Sequence, residues 1–124
     1  MRTGTITIDG KPHLLCFSVR VVRSCTERYG SMRGLYEALS VQNEVQRLDE
    51  TVWTLAEMMR AGDRYARVHQ LDNESPLSED ALFDCCDFDD LANMRAAIVA
   101  TINNGRQTHV EADYPNAAAT QGES

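Results

Sequence analysis

Near the N-terminus, apolar and polar residues alternate with the period of two that marks a half-buried strand, Ile6 and Ile8 falling between Thr5 and Thr7. Asp9-Gly10 follows, a pair that tolerates the positive φ of a tight hairpin turn. The return segment, residues 14–17, reads Leu-Leu-Cys-Phe and is apolar without alternation. Such a strand carries apolar side chains on both faces. One face is expected to pack on helices, while the other must meet solvent, the chain's own loops or a partner. Leu14 and Cys16 are therefore candidates for a partner surface. A two-stranded hairpin is marginal alone and must rest on the remainder of the chain.

From Ser18 onward the period becomes helical. Ser18 is a suitable N-cap, with Phe17 and Val22 placed as a hydrophobic staple. Val19, Val22 and Tyr29 are expected on one face of the first helix, and Gly30 just past its end. Ser31 caps a short helix with Met32, Leu35, Tyr36 and Leu39 at i, i+3, i+4 and i+7. Residues 40–48 fit a helix or a loop. Asp49 is a plausible cap for the main helix, whose stripe is Val52, Leu55, Ala56 and Met59, broadened by Trp53 and Met58. That helix is expected to continue through Gly62 toward Val68, the small residue allowing another element to approach closely. Ser78 caps a further helix, with Leu77 and Leu82 as a second staple and Leu82, Phe83 and one cysteine facing inward. A last helix is expected over residues 89–104, with Leu91, Met94, Ile98 and Ile102 inward and Gly105 closing it.

These elements predict an α+β, mainly α fold: a short N-terminal antiparallel β-hairpin packed on a small bundle of about four to five helices. At 124 residues the chain is one domain, residues 1–105, followed by a flexible C-terminal tail over residues 106–124 with no apolar period. No secretory leader and no apolar run of membrane-spanning length is visible, so a cytoplasmic protein with Cys16, Cys25, Cys85 and Cys86 reduced is expected.

Charge is unevenly placed. Residues 1–70 carry a net +2 and residues 71–124 a net −9, within an overall −7. A net acidic chain is a poor nucleic-acid ligand. The asymmetry suggests attraction between the halves, or between one half and a partner. Arg60, Arg64 and Arg67 form a basic stripe on the main helix. It reads as a solvated face with Glu57 and Asp63 as ion-pair partners, or as a docking stripe for an acidic surface.

Candidate chemistry changes the picture little. Asp87-Phe88-Asp89-Asp90 opens like a calcium loop, but Leu91 and Ala92 stand where a ligand and a glycine are needed, so these acids are read as capping charges. Cys85 and Cys86 are adjacent and point about 100° apart on a helix, a poor pair of metal ligands. There is no nucleophile elbow, zinc-protease motif or glycine-rich phosphate loop, and His13, His69 and His109 stand apart from any nucleophile. No catalytic, metal or cofactor residue is assigned, and no enzyme activity is expected.

Taken in order, Ile8-Asp9-Gly10-Lys11, Arg28-Tyr29-Gly30-Ser31, the run from Val52 to Gly62, Leu77-Ser78-Glu79-Asp80-Ala81-Leu82 and Asp87-Phe88-Asp89-Asp90-Leu91 resemble the tail assembly chaperones of tailed bacteriophages and prophages over roughly residues 5–105. The resemblance implies a non-enzymatic protein of the bacterial cytoplasm that binds the helix-rich tape-measure protein and is absent from the mature virion. It also implies that a frameshift near the gene's end adds a domain to some copies. The major tail tube protein and a second copy of the chain are further candidate partners. Candidate groove residues for an amphipathic tape-measure helix are Leu14, Cys16, Tyr36, Trp53 and Met58, with Arg60, Arg64 and Arg67 as the docking stripe. The alternatives are a structural tail or head–tail connector subunit and, disfavoured by charge, a small DNA-binding regulator.

Overall fold

In a computed structural model, which describes residues 3–113, the chain is an antiparallel hairpin followed by five helices. The strands are β1 (Thr3–Ile8) and β2 (Lys11–Cys16); the helices are α1 (Val19–Tyr29), α2 (Met32–Leu39), α3 (Glu44–Val68), α4 (Glu79–Cys85) and α5 (Asp90–Asp113). Asp9 and Gly10 both take positive φ, 53° and 78°, the signature of a type I′ turn. The turn sets a register in which Gly4 faces Leu15, Ile6 faces His13 and Ile8 faces Lys11. That shared face is turned inward: Ile8, His13 and Leu15 are buried, whereas Thr5 and Thr7 on the other face are exposed.

The hairpin rests on the two long helices, β2 against α3 and β1 against α5. The core lies where they meet and is filled by Leu15, Leu55, Met58, Met59, Ile98 and Ile102, with Leu35 and Leu82 arriving from the short helices. Gly62 explains how closely α3 approaches β2. A Cβ there would stand 1.9 Å from the Leu14 carbonyl oxygen, so only hydrogen fits.

The outer edge of β2 is closed by the chain itself. After α3 the chain turns at Gln70, which has φ 56°, and returns across the strand. The Leu14 N–H, turned away from β1, donates to Asn73 Oδ1 at 2.9 Å, and Asn73 in turn reaches Asp63. Pro12 has no donor to offer on the same edge. The loop thus satisfies the free edge of the strand at Leu14.

The three serine caps form as expected: Ser18, Ser31 and Ser78 accept from the backbone N–H of Val21, Gly34 and Ala81. Several expectations need correction. The inward face of α1 is Val21 and Cys25, not Val19 and Val22, and Val19 is largely exposed. A shift of one or two positions turns a helical stripe by 100–200°, and the run Val19-Arg20-Val21-Val22 offers apolar residues to either choice. The main helix starts at Glu44 rather than after Asp49, because Asn43 accepts from the Gln46 N–H and caps it. Phe83 is exposed, since α4 is only two turns long and buries Leu82 alone. The last helix does not stop at Gly105 but runs to Asp113; Gly105 sits within it facing Phe17. The tail expected from residue 106 thus begins as helix, and residues 114–124 lie outside the described residues.

Candidate functional site

An apolar groove of ≈ 220 Å³ lies at the junction of α3, α4 and α5. The first turns of α3 contribute Leu48 and Val52, α4 contributes Leu82 and Phe83, and α5 contributes Leu91 and Met94. Val52, Leu82, Leu91 and Met94 form its buried floor. Cys86 and Phe88, from the turn between α4 and α5, complete the wall.

Local chemistry places these side chains. α4 ends where Cys86 turns to extended backbone. α5 then starts within four residues through reciprocal bonds: the Asp87 N–H donates to Asp90 Oδ2 at 2.9 Å, the Asp90 N–H donates to the Asp87 carbonyl at 3.0 Å, and the Asp89 N–H donates to Asp87 Oδ1. The acids read as capping charges do cap. So tight a junction leaves no depth for the intervening Phe88, which is 63% exposed, while Phe83 on the opposite wall is 45% exposed. Fully burying a large apolar side chain is worth roughly 1.5–3 kcal/mol, so the two phenylalanines facing solvent at one groove leave much of that gain unrealised in the isolated chain.

The groove's surroundings are anionic. Asp87 lines it, Glu79, Asp80 and Asp84 lie on α4, and Asp89 and Asp90 stand at the start of α5; none forms a salt bridge among the described residues. Burial, helped by Asp90 and neighbouring acids, pushes the Cys86 thiol up to about 11. At neutral pH it is a protonated, weakly polar wall rather than a nucleophile. Among the described residues, no group of three or more His, Cys, Asp or Glu side chains is placed to hold a metal ion, and no helix is long and apolar enough to cross a membrane.

No protein-family model, curated protein or solved structure matches this chain.

The residues expected to meet a partner are scattered instead. Cys16 is 2% exposed and Met58 fully buried, so both belong to the core, a correction to their placement on a docking surface. Leu14 is half-buried beneath the Asn73 loop. Tyr36 is half-buried beside a separate shallow depression between α2 and α5. Trp53 is half-buried and covered by α1: Tyr29 meets it edge-to-face at 5.7 Å, and the Arg28 guanidinium lies 4.4 Å above its ring. Glu50 anchors both covering residues, accepting from Tyr29 Oη at 2.7 Å and Arg28 Nε at 2.9 Å. Burial is the main cause of the raised Tyr29 pKa, and the Glu50 bond adds to it. Arg60 pairs with Glu57 and Arg67 with Asp63, as helical spacing predicts, while Arg64 is exposed without an ion pair among the described residues.

Sequence reasoning missed the groove because Phe83 was assigned inward and Phe88 was treated only as part of a break. One signal was present. Residues 79–90 hold six acids, no cation and two phenylalanines.

Proposed function

We propose that this protein is a tail assembly chaperone of a tailed bacteriophage or prophage. It binds helical segments of the tape-measure protein in the host cytoplasm, holds them soluble while the tail tube polymerises, and leaves no copy in the mature virion. The role is one of binding, without catalysis or cofactor. The observation that carries the reading is the apolar groove with Phe83 and Phe88 on its walls, open to solvent in the free chain. A helix-in-groove interaction suits it, because an amphipathic helix satisfies its own backbone and needs only an apolar trough for its stripe. Cys86 and Met94 add soft, polarizable surface that can accept varied side chains. The order of hairpin, capped short helices and long helices is the other support, through the resemblance to that family.

Co-expression tests it. Tape-measure fragments produced with this chain should become soluble and co-purify with it, and the chain should be missing from purified particles. Fragments that stay insoluble and unbound at every salt concentration would reject the reading. Stoichiometric presence in finished particles would instead favour a structural tail or connector subunit.

A further inference from the structure

The groove has a chemical preference as well as a shape. Its floor is Val52, Leu82, Leu91 and Met94, and its walls carry two exposed phenylalanines. Asp87 lines it, and Asp84 and Asp89 adjoin Phe83 and Phe88 in the chain; all three are exposed and without a salt bridge among the described residues. Apolar depth with an uncompensated anionic border selects for a ligand that is apolar along one line and cationic on both sides of it. We propose that this groove is the docking site for a cationic amphipathic helix, whose apolar stripe enters between Phe83 and Phe88 and whose lysines or arginines face Asp84, Asp87 and Asp89. The inference deepens the chaperone reading, on which it rests for the source of the helix; it assigns that source's chemistry and where on this chain it seats.

Three features favour this occupant. The groove is built entirely from α3, α4, α5 and the turn between the last two, so no strand edge in it can complete the backbone of an extended segment; a helix brings its backbone already paired. The chain's own residues 114–124 contain no lysine or arginine and carry Glu123, so they do not match the border. A second copy offering the α3 stripe would bring Arg60 and Arg67 already engaged by Glu57 and Asp63, with Arg64 alone of the three free of an ion pair among the described residues.

The test uses the full chain and two fluorescein-labelled helical peptides of about 18 residues, roughly 27 Å long. Both carry the same leucine stripe, one flanked by lysines and the other by glutamates. Fluorescence anisotropy should show the lysine peptide binding at least roughly tenfold more tightly at low salt, with the difference shrinking as salt screens the border. Phe83→Ala and Phe88→Ala should each weaken it by roughly tenfold, the effect of losing an aromatic anchor. The double variant Asp84→Asn, Asp89→Asn should erase most of the charge preference while leaving the shared leucine-dependent binding. All four positions are exposed, and thermal melts monitored by circular dichroism should be unchanged. Equal binding of the two peptides, or binding indifferent to both phenylalanine changes, overturns the proposal. So does a wild-type dimer in sedimentation that Phe88→Ala dissociates, since a second copy would then fill the groove. Co-expression separates the two claims. Tape-measure fragments retained equally by wild type and the Phe83→Ala, Phe88→Ala double variant reject the groove and keep the chaperone. Peptide binding at the groove with no tape-measure fragment bound keeps the groove and rejects the chaperone.

Discussion

Gly62 and the Leu14 carbonyl meet where α3 crosses β2, and the gap between them holds one hydrogen atom. A Cβ on residue 62 would lie 1.9 Å from Leu14 O, 2.4 Å from Leu14 C and 2.9 Å from Leu15 N, all backbone atoms that cannot swing away. The glycine hydrogen facing that oxygen makes the kind of weak C–H···O contact that recurs where backbones approach closely.

Gly62→Ala should therefore destabilise the protein although it improves helix propensity. The propensity gain is about 1 kcal/mol. Forcing an added carbon into a packed site usually costs about 1–3 kcal/mol and more against rigid backbone. A net loss of about 2 kcal/mol is expected, seen as a lower urea midpoint at unchanged slope. Gly105→Ala is the internal comparison. Its Cβ would meet Phe17, with the ring at 3.3 Å, Cβ at 3.4 Å and the carbonyl oxygen at an ordinary 3.6 Å, so a slight shift of that side chain suffices and the midpoint should stay or rise. A midpoint raised by Gly62→Ala would show that α3 and β2 are not in this contact.

Asn73→Ala should release the loop that closes the β2 edge. The Leu14 N–H loses its acceptor at 2.9 Å, and the loop loses its link to Asp63. A part-buried donor left without a partner costs about 1–3 kcal/mol. Hydrogen exchange gives the sharper readout: the Leu14 amide should lose protection while the β1–β2 ladder amides keep theirs. Loss of protection throughout the hairpin would mean that the loop holds the whole sheet rather than one edge.

What could be read from the chain was what depends on neighbours in sequence. Ser18, Ser31 and Ser78 each cap the helix that follows by accepting from the N–H three residues on, and the Asp9-Gly10 turn needs only its own two residues. The buried stripe Leu91, Met94, Ile98 and Ile102 was legible because most of the large apolar residues of α5 fall on that one row. Errors arose where two local solutions were equally good. Val21 competes with Val22 on α1, Asn43 competes with Asp49 as a cap, and Gly105 resembles a helix stop until Phe17 is seen to pack on it. The groove was not legible as a shape. It joins Leu48, Leu82 and Phe88 from three segments, and only the packing of α4 against α3 and α5 brings them together.

The Tyr29–Glu50 bond should matter to both stability and Trp53 emission. Tyr29 Oη donates to Glu50 at 2.7 Å while its ring supports Trp53. Tyr29→Phe keeps the ring and removes the bond to a charged acceptor, for a loss of about 1.5–3 kcal/mol. Glu50→Gln should cost less, since an amide oxygen still accepts. Because burial and the Glu50 bond raise the Tyr29 pKa, the unfolded phenol ionises first as pH rises above 10.0, so the folded state loses stability there. That alkaline loss should be smaller in Tyr29→Phe. Trp53 emission unchanged in both variants would show that α1 does not shield the indole.

His13 supplies the acid-side counterpart. It is buried on the inward face of the hairpin opposite Ile6, and its Nδ1 has no hydrogen-bond partner. Burial lowers its pKa below 6.5, the nearby Lys11 acts in the same direction, and Glu74 in the covering loop opposes both. Below pH 6.5 the unfolded chain therefore binds a proton that the folded chain resists, and stability must fall as pH falls; above 6.5 both states are neutral at this residue and the contribution is flat. The slope from one group cannot exceed about 1.4 kcal/mol per pH unit. His13→Leu removes the titration while keeping an apolar side chain on the inward face. Urea unfolding measured from pH 7.5 downward should show the wild type weakening faster than His13→Leu once pH drops below 6.5, with the two curves parallel above it. Parallel curves throughout would show that His13 does not carry the acid sensitivity.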